Sequence, residues 1–364
     1  MNLSSTGDHL SPLDLSLRAD KVRSEISDQE ALVTMGPSDV QWLTGFTGSN
    51  GIVYLDHEKF ILLTDKRYEE QGPQQIRESF SSAEVMISKT PMEDIPSLAL
   101  NKIIKVDPNL ITWKAALQLE EIIEGGITPS TPLKALRAQK EQCEIDRIAL
   151  AARIVDEALN ETIPFLSGNP SEMEIATHLD FKIREKGASG NAYQTIVASG
   201  VNSSKPHAQP SAKKIENGDL VIIDVGAVVD GYRSDMTRTF IIGEPSVLQQ
   251  KYMTVVRESQ EEAIKILKPG TACAELDRQC RKKIEEAGWG DLFIHGTGHG
   301  VGLDIHEAPA INSKSSENLL TGMVVTIEPG IYFSDNCGVR WEDLYEITES
   351  GARQLTLSAK SPQV

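Results

Sequence analysis

Three histidines, His295, His299 and His306, fall within twelve residues of a chain that has only seven. They lie in "DLFIHGTGHGVGLDIHE" (291–307), interleaved with Gly296, Gly298, Gly300 and Gly302. Imidazoles this dense suit metal ligation or proton transfer. Glycines between them permit close backbone approach and weaken a plain strand or helix. Taken alone, the stretch also fits a glycine-rich surface loop, so the acids elsewhere must decide.

Those acids sit at the ends of apolar runs. In "DLVIIDVGAVVDGYRSDMTRTFIIG" (219–243), Asp224 closes "LVII", and Asp230-Gly231 is a strong hairpin signal. If the hairpin closes on that pair, Thr237 faces Asp224 and Asp235 faces Gly226. Asp224 and Asp235 then share one face as diagonal neighbours about 7–8 Å apart or less. Two such charges beside an apolar strand are unfavourable without a cation between them. Glu328 ends a second apolar run, "GMVVTIEPG", and Glu342 lies two residues beyond Arg340, on the same strand face.

Asp224, Asp235, Glu328 and Glu342 with His299 make four carboxylates and one imidazole. Two divalent cations balance that charge, and bridging carboxylates hold such pairs about 3.5–4 Å apart in dinuclear hydrolases. Oxygen-dominated ligation points to Mn²⁺, with Co²⁺, Fe²⁺ or Zn²⁺ as alternatives. A water shared by the two ions has a lowered pKa and is the expected nucleophile.

The elements that must position these groups occupy the last two thirds of the chain. "KEQCEIDRIALAARIVDEALNETIPFL" has apolar residues at 145, 148, 152, 155 and 159, the period of an amphipathic helix. A capping box, Ser171 with Glu174, opens a second helix that ends at Gly187. Its His178 reads as a packed or solvent-facing histidine. Further helices are expected over 246–267 and 274–288, with Cys280 in the core. Upstream, helical and strand-like pieces alternate, which argues a smaller α/β domain. There, residues 15–28 read as a helix with exposed charges, 31–34, 51–55, 59–65, 83–88 and 101–107 as strands, and 111–123 as a helix. The helix begun by "KRYEEQGPQQI" is expected to break near Gly72-Pro73. "WLTGFTGSNG" (42–51) reads as a glycine-rich loop without P-loop or dinucleotide spacing. Prolines 129 and 132 mark a linker, and His9 and His57 read as surface residues.

Composition narrows the partners. A net charge of −17 disfavours nucleic acid. No apolar run approaches the roughly 18 residues of a membrane helix, and the N-terminus has no secretion-signal pattern. Four scattered cysteines without a Cys-x-x-Cys pair suit reduced thiols and a cytoplasmic location. Cys337, in the turn "SDNCG", has no partner cysteine nearby and is set aside as a ligand.

The motifs "IIDVGA", "SDMTRT", "HGTGHGVGLDIHE", "TIEPGIY" and "VRWED" closely resemble those of the pita-bread metallopeptidases, specifically bacterial Xaa-Pro dipeptidases and aminopeptidase P. The resemblance runs over essentially all of 15–358. It implies an α+β protein: a polar tail (1–14), a creatinase-like α/β domain (15–135) and a pita-bread catalytic domain (136–364). It carries over all five metal ligands unsubstituted. It also implies His207, in "SSKPHA", as a substrate-binding or proton-shuttling residue. His306 matches the histidine that stabilises the tetrahedral intermediate, His295 one that lines the pocket beyond the scissile bond, and Arg340 a buried active-site arginine. The expected catalytic set is His207, His306, Glu328 and Arg340. Trp341, Leu344 and Cys337 depart from the family's frequent residues; they leave the ligand set intact and are expected to bear on pocket shape. Proline lacks an N–H, so its imide bond needs a dedicated peptidase.

The expected reaction is hydrolysis of the Xaa-Pro bond of dipeptides, with release of the N-terminal residue from longer Xaa-Pro peptides as the alternative. The two differ in whether the pocket captures the proline carboxylate or lets the chain run on. Competing readings are a methionine aminopeptidase, which would not need the N-terminal domain, a creatinase-like hydrolase, which lacks these ligands, and a non-catalytic binding module. Small proline-containing peptides are the expected partners, and relatives imply a homodimer.

Overall fold

The computed structural model describes residues 10–360, 363 and 364; His9 and most of the expected polar tail lie outside them. The chain divides into two compact units, Met1–Arg137 and Ala138–Val364.

In the first unit, six short strands form one mixed sheet: β1 (Glu30–Thr34), β2 (Gly51–Leu55), β3 (Phe60–Thr64), β4 (Glu84–Ile87), β5 (Ile103–Val106) and β6 (Ile127–Pro129), in the order β4-β3-β2-β1-β5-β6. Strands β2 and β3 pair antiparallel through the Asp56–Lys59 turn, as the apolar runs require. Helices α1 (Arg18–Arg23), α2 (Pro37–Thr44), α3 (Gln71–Glu78), α4 (Pro91–Leu98), α5 (Trp113–Ile122) and α6 (Pro132–Ala138) complete the unit.

Several local expectations need correction. The first helix is only six residues long, and its Arg18 is fully buried, donating to the Trp42 carbonyl at 2.6 Å over the indole face. The run begun at Lys66 does break, but at residues 69–70, between a 3₁₀ turn (Lys66–Tyr68) and α3, and Pro73 falls in the first turn of α3, where a missing N–H costs nothing. Trp42 to Thr44, read as loop, finish α2, which Gly45 ends at φ 75°. The expected linker is occupied by β6 and α6, with Pro132 opening the helix.

In the second unit, α7 (Gln142–Thr162) buries Ile145, Ile148, Ala152, Val155 and Leu159, the spacing that the sequence shows. Helix α8 (Glu172–Glu185) has the Ser171–Glu174 capping box; α9 (Val247–Ile264) and α10 (Cys273–Glu286) follow, with Cys280 fully buried. His178 stacks on Phe165 at 4.2 Å. The strands are β7 (Gly190–Asn191), β8 (Ile196–Ser199), β9 (Leu220–Val225), β10 (Ala227–Val229), β11 (Tyr232–Arg233), β12 (Met236–Ile241), β13 (Gly298–Gly300), β14 (Glu307–Ile311), β15 (Val324–Ile327), β16 (Gly330–Phe333), β17 (Cys337–Arg340), β18 (Asp343–Thr348) and β19 (Gly351–Gln354). Two sheets matter for the site: β12-β9-β8, and β14-β13-β15-β18-β19. A bridge between Thr237 and Glu342 joins them.

Candidate active site

The hairpin closes as its turn chemistry demands. Val229 pairs with Tyr232 and Thr237 with Asp224, which leaves Gly226 opposite Asp235. The space beside Gly226 is filled: a Cβ there would lie 2.1 Å from the Ser234 carbonyl and 3.0 Å from the Tyr193 ring. Absence of a side chain at 226 thus lets the segment carrying Tyr193 reach the two aspartates. The Tyr193 hydroxyl donates toward Oδ1 of both Asp224 and Asp235, the latter at 2.5 Å.

Glu328 follows β15, and Glu342 sits at the bridge to β12. Thr237 Oγ1 donates to Glu342 Oε2 at 2.7 Å and accepts from Arg340 Nε at 3.0 Å. Arg340 also donates to Asp224 Oδ2 (2.6 Å), the Tyr332 hydroxyl (2.8 Å) and the Pro206 carbonyl (3.3 Å). One buried guanidinium therefore fixes a carboxylate, a tyrosine and the backbone next to His207.

His299 lies on β13. Its Nδ1 faces the Gly300 carbonyl at 3.1 Å. A carbonyl only accepts, so Nδ1 is the donor there and Nε2 is the nitrogen turned toward the carboxylates. That nitrogen sits 3.4 Å from Glu328 Oε1 and 3.6 Å from Asp235 Oδ2. His295 is held the same way, Nδ1 on the Gly296 carbonyl at 2.8 Å and Nε2 accepting from Tyr332 at 2.9 Å. His306 meets the His299 ring edge-on, centroids 4.4 Å apart.

A cavity of about 550 Å³ collects Asp224, Asp235, His299, Glu328 and Glu342 together with His207, His295, His306 and Arg340. Every residue singled out for chemistry thus lines one space. Asp235, His299 and Glu342 form the tight group, each offering a ligand atom within 4.8 Å of the others. Asp224 and Glu328 stand at its edge, Asp224 turned to Arg340 and Tyr193. Cys337 is buried away from this cavity, its thiol pushed up to about 11 by burial.

The electrostatics test whether cations fit. Burial, reinforced by the charge of Asp224, raises the Asp235 carboxyl well above its usual range, and burial with the charge of Asp235 does the same to Glu342. Arg340 supplies one positive charge against four carboxylates, so the donor set is short of cationic partners and suits divalent ions. Burial holds the His295 imidazole below its ordinary range, and desolvation at the cavity wall together with the neighbouring His299 lowers that of His306.

Sequence reasoning missed Tyr193, and it placed Thr237 opposite Asp224 without seeing its bonds to Glu342 and Arg340. Neither is charged, and nothing in "GNAYQT" marks a reactive group. Tyr332 lay inside "TIEPGIY", and its partnership with Arg340 and His295 needs the hairpin β16-β17 to emerge.

Comparison with known proteins agrees with this geometry. Residues 146–349 match the profile of Metallopeptidase family M24, and residues 18–139 match the Creatinase/Prolidase N-terminal domain. An uncharacterized peptidase of Bacillus subtilis is 36% identical over 335 residues, 91% of this chain and 94% of that one. Among solved structures, an Xaa-Pro dipeptidase from Bacillus anthracis superposes with a TM-score of 0.90 at 32% identity, covering 95% of this chain and 99% of that one. An X-Pro aminopeptidase from Thermotoga maritima gives 0.86 at 32% identity, covering 95% and 100%.

Proposed function

The chain belongs to metallopeptidase family M24, and we propose that it hydrolyses the Xaa-Pro bond of dipeptides. It is a two-domain enzyme, a creatinase-type α/β domain ahead of a pita-bread catalytic domain. The observation that carries the reading is the single cavity where Asp235, His299 and Glu342 converge within 4.8 Å, rimmed by Asp224, Glu328 and three further histidines.

Asp224, Asp235, His299, Glu328 and Glu342 would hold two divalent ions, which supply Lewis-acid polarisation and a water of lowered pKa. Mn²⁺ is our assignment, on the oxygen-rich donor set, with Co²⁺, Fe²⁺ and Zn²⁺ as substitutes. The protein's own groups do the rest. Glu328 collects the proton released on attack and returns it to the imide nitrogen, without which proline cannot leave. His306 donates to the developing oxyanion. His207 and His295 wall the proline ring, and His295 is kept in place by Tyr332. Arg340 orients Asp224 and ties it to the Pro206 backbone, so ligand shell and substrate wall are set by one side chain.

The aminopeptidase reading stays open through the Thermotoga relative, and a homodimer is proposed by the same analogy. Four free cysteines support a reducing, cytoplasmic setting. The test is to strip the protein of metal, reload it with Mn²⁺ or Co²⁺ and assay Ala-Pro, Ala-Pro-Ala and Met-Ala-Ser. Ala-Pro should be cleaved fastest. Equal cleavage of the tripeptide Ala-Pro-Ala overturns the dipeptide preference, and silence on both Xaa-Pro substrates with every metal overturns the function.

A further inference from the structure

His306 is exposed, and no described residue hydrogen-bonds its ring; its one aromatic neighbour is the edge of His299. Its aim must therefore come from the backbone turn that precedes it, residues 302–307. That turn is tied down from two sides. Arg233, on the hairpin that carries the aspartates, donates its backbone N–H to the Gly302 carbonyl (2.9 Å) and Nε to the Leu303 carbonyl (2.8 Å). From the other side comes an ion pair far from the chemistry in sequence. Lys140 Nζ lies 2.9 Å from Glu307 Oε2, with side chains only 1% and 7% exposed. The second Glu307 oxygen accepts the Asp304 N–H at 3.0 Å, which closes the turn on itself.

The fit is close. A Cβ at Gly302 would lie 2.5 Å from Glu307 Oε2, so the carboxylate lies directly against the bend. Lys140 is itself anchored, its N–H on the Gly322 carbonyl (2.8 Å) and its Nζ also near the Ala138 carbonyl (3.3 Å). Burying an ion pair this deeply is costly, and an apolar pair of similar volume is often as stable or more so. Stability alone does not account for a lysine and a glutamate here, whereas holding the Asp304 N–H and the turn before His306 does.

We propose that the buried Lys140–Glu307 ion pair is a positioning device for His306, setting where its ring meets the substrate. The inference rests on the catalytic role given above to His306.

The test uses the full-length, metal-loaded enzyme carrying Lys140→Met with Glu307→Leu, and separately Lys140→Arg. Readouts are kcat and KM on Ala-Pro, metal content, thermal midpoint, and the imidazole ¹H–¹⁵N resonance of His306. The apolar pair should fold and keep its metal. It should lose about 10- to 100-fold in kcat, because a misplacement of about 1 Å costs that much, and the His306 resonance should move. Lys140→Arg should retain most of the rate. In a His306→Ala background the apolar pair should cost less than about twofold more, since both changes act through one group. Wild-type kcat with an unmoved resonance overturns the proposal, as does an undiminished further loss in the His306→Ala background. If His306→Ala alone leaves kcat intact, or the parent enzyme ignores Ala-Pro, the functional reading fails instead. The resonance then still decides the ion pair: moved supports it, unmoved overturns it.

Discussion

Two buried charge clusters lie back to back on the same strands, and they are built on opposite accounts. On one face, among the described residues, Asp224, Asp235, Glu328 and Glu342 share a single guanidinium, Arg340. On the other, Asp343 is fully buried and accepts from four donors: Arg238 (2.7 Å), Lys360 (2.6 Å), Thr356 (2.9 Å) and Gln260 (3.2 Å). Arg238 in turn spends its other N–H groups on the carbonyls of Ser358, Thr237 and Glu342. The residues alternate: Glu342 lines the cavity with Thr237 bonded behind it, while Arg238 and Asp343 face away. The cluster behind is closed by its own cations and locks the C-terminal segment down. The cluster in front is left short of positive charge, and that shortage makes it a site for divalent ions. Strand periodicity places one beside the other, and a one-residue slip would exchange them.

The largest effect expected comes from removing a ligand on the open side. Asp235→Ala should abolish turnover on Ala-Pro and lower metal content measured after dialysis. The fold should hold, since the change also removes a buried carboxyl whose ionisation burial disfavours. Full activity in this variant would show that the hairpin places Asp235 elsewhere.

The closed side should answer differently. Arg238→Met leaves Asp343 with Lys360 as its one remaining cation and takes the donor from the Ser358, Thr237 and Glu342 carbonyls, and breaking a buried pair costs up to about 3–5 kcal/mol. Urea unfolding should register that loss while the folded fraction still binds metal. A variant that keeps its stability but loses its metal would show that the two faces are not separable in this way.

How much of this was readable from residue order follows the same division. Asp224 and Glu328 announce themselves because an acid ending an apolar run has no bland explanation. The Asp230-Gly231 turn then sets Asp235 by counting. His295, His299 and His306 stand out by density but needed the acids to give them meaning, and His207 was legible only through the resemblance. What stayed hidden depends on contacts distant in sequence. Tyr193 is uncharged and reaches the aspartates only because Gly226 leaves a gap. Lys140 looks like any surface lysine until Glu307, 167 positions away, is packed against it. In the first unit, Pro73 reads as a breaker, yet in the first turn of α3 it is tolerated. Helix α2 was obscured by the glycines that flank it.

A smaller effect concerns pH. In metal-depleted protein, Asp235 and Glu342 have folded pKa values raised above their unfolded ones, about 4. From about pH 4 upward the unfolded chain has released these protons while the folded chain still holds them. Their contribution is therefore present below the unfolded pKa and lost as pH rises through the folded values. Metal supplies the missing charge, so the rise in thermal midpoint on adding Mn²⁺ should be larger at pH 8 than at pH 5. An equal rise at both would mean that the open cluster is not short of charge.

The smallest change is the sharpest probe of the boundary between the clusters. The Tyr193 hydroxyl has one proton and two carboxylate acceptors, Asp224 and Asp235. It cannot satisfy both at once, so it cannot close the charge account as Arg238 and Lys360 do for Asp343. What it does is hold two mutually repelling groups at one spacing. Tyr193→Phe keeps the ring that fills the gap at Gly226 and removes only that restraint. Outer-shell partners of this kind typically contribute about 10- to 100-fold to metal affinity, and competition with a chelator would measure it. Stability should barely move, because the phenol does not balance the charge of the aspartates. If affinity is unchanged, the aspartates are spaced by the hairpin and Arg340 alone, and Tyr193 belongs with the packing rather than with the ligands.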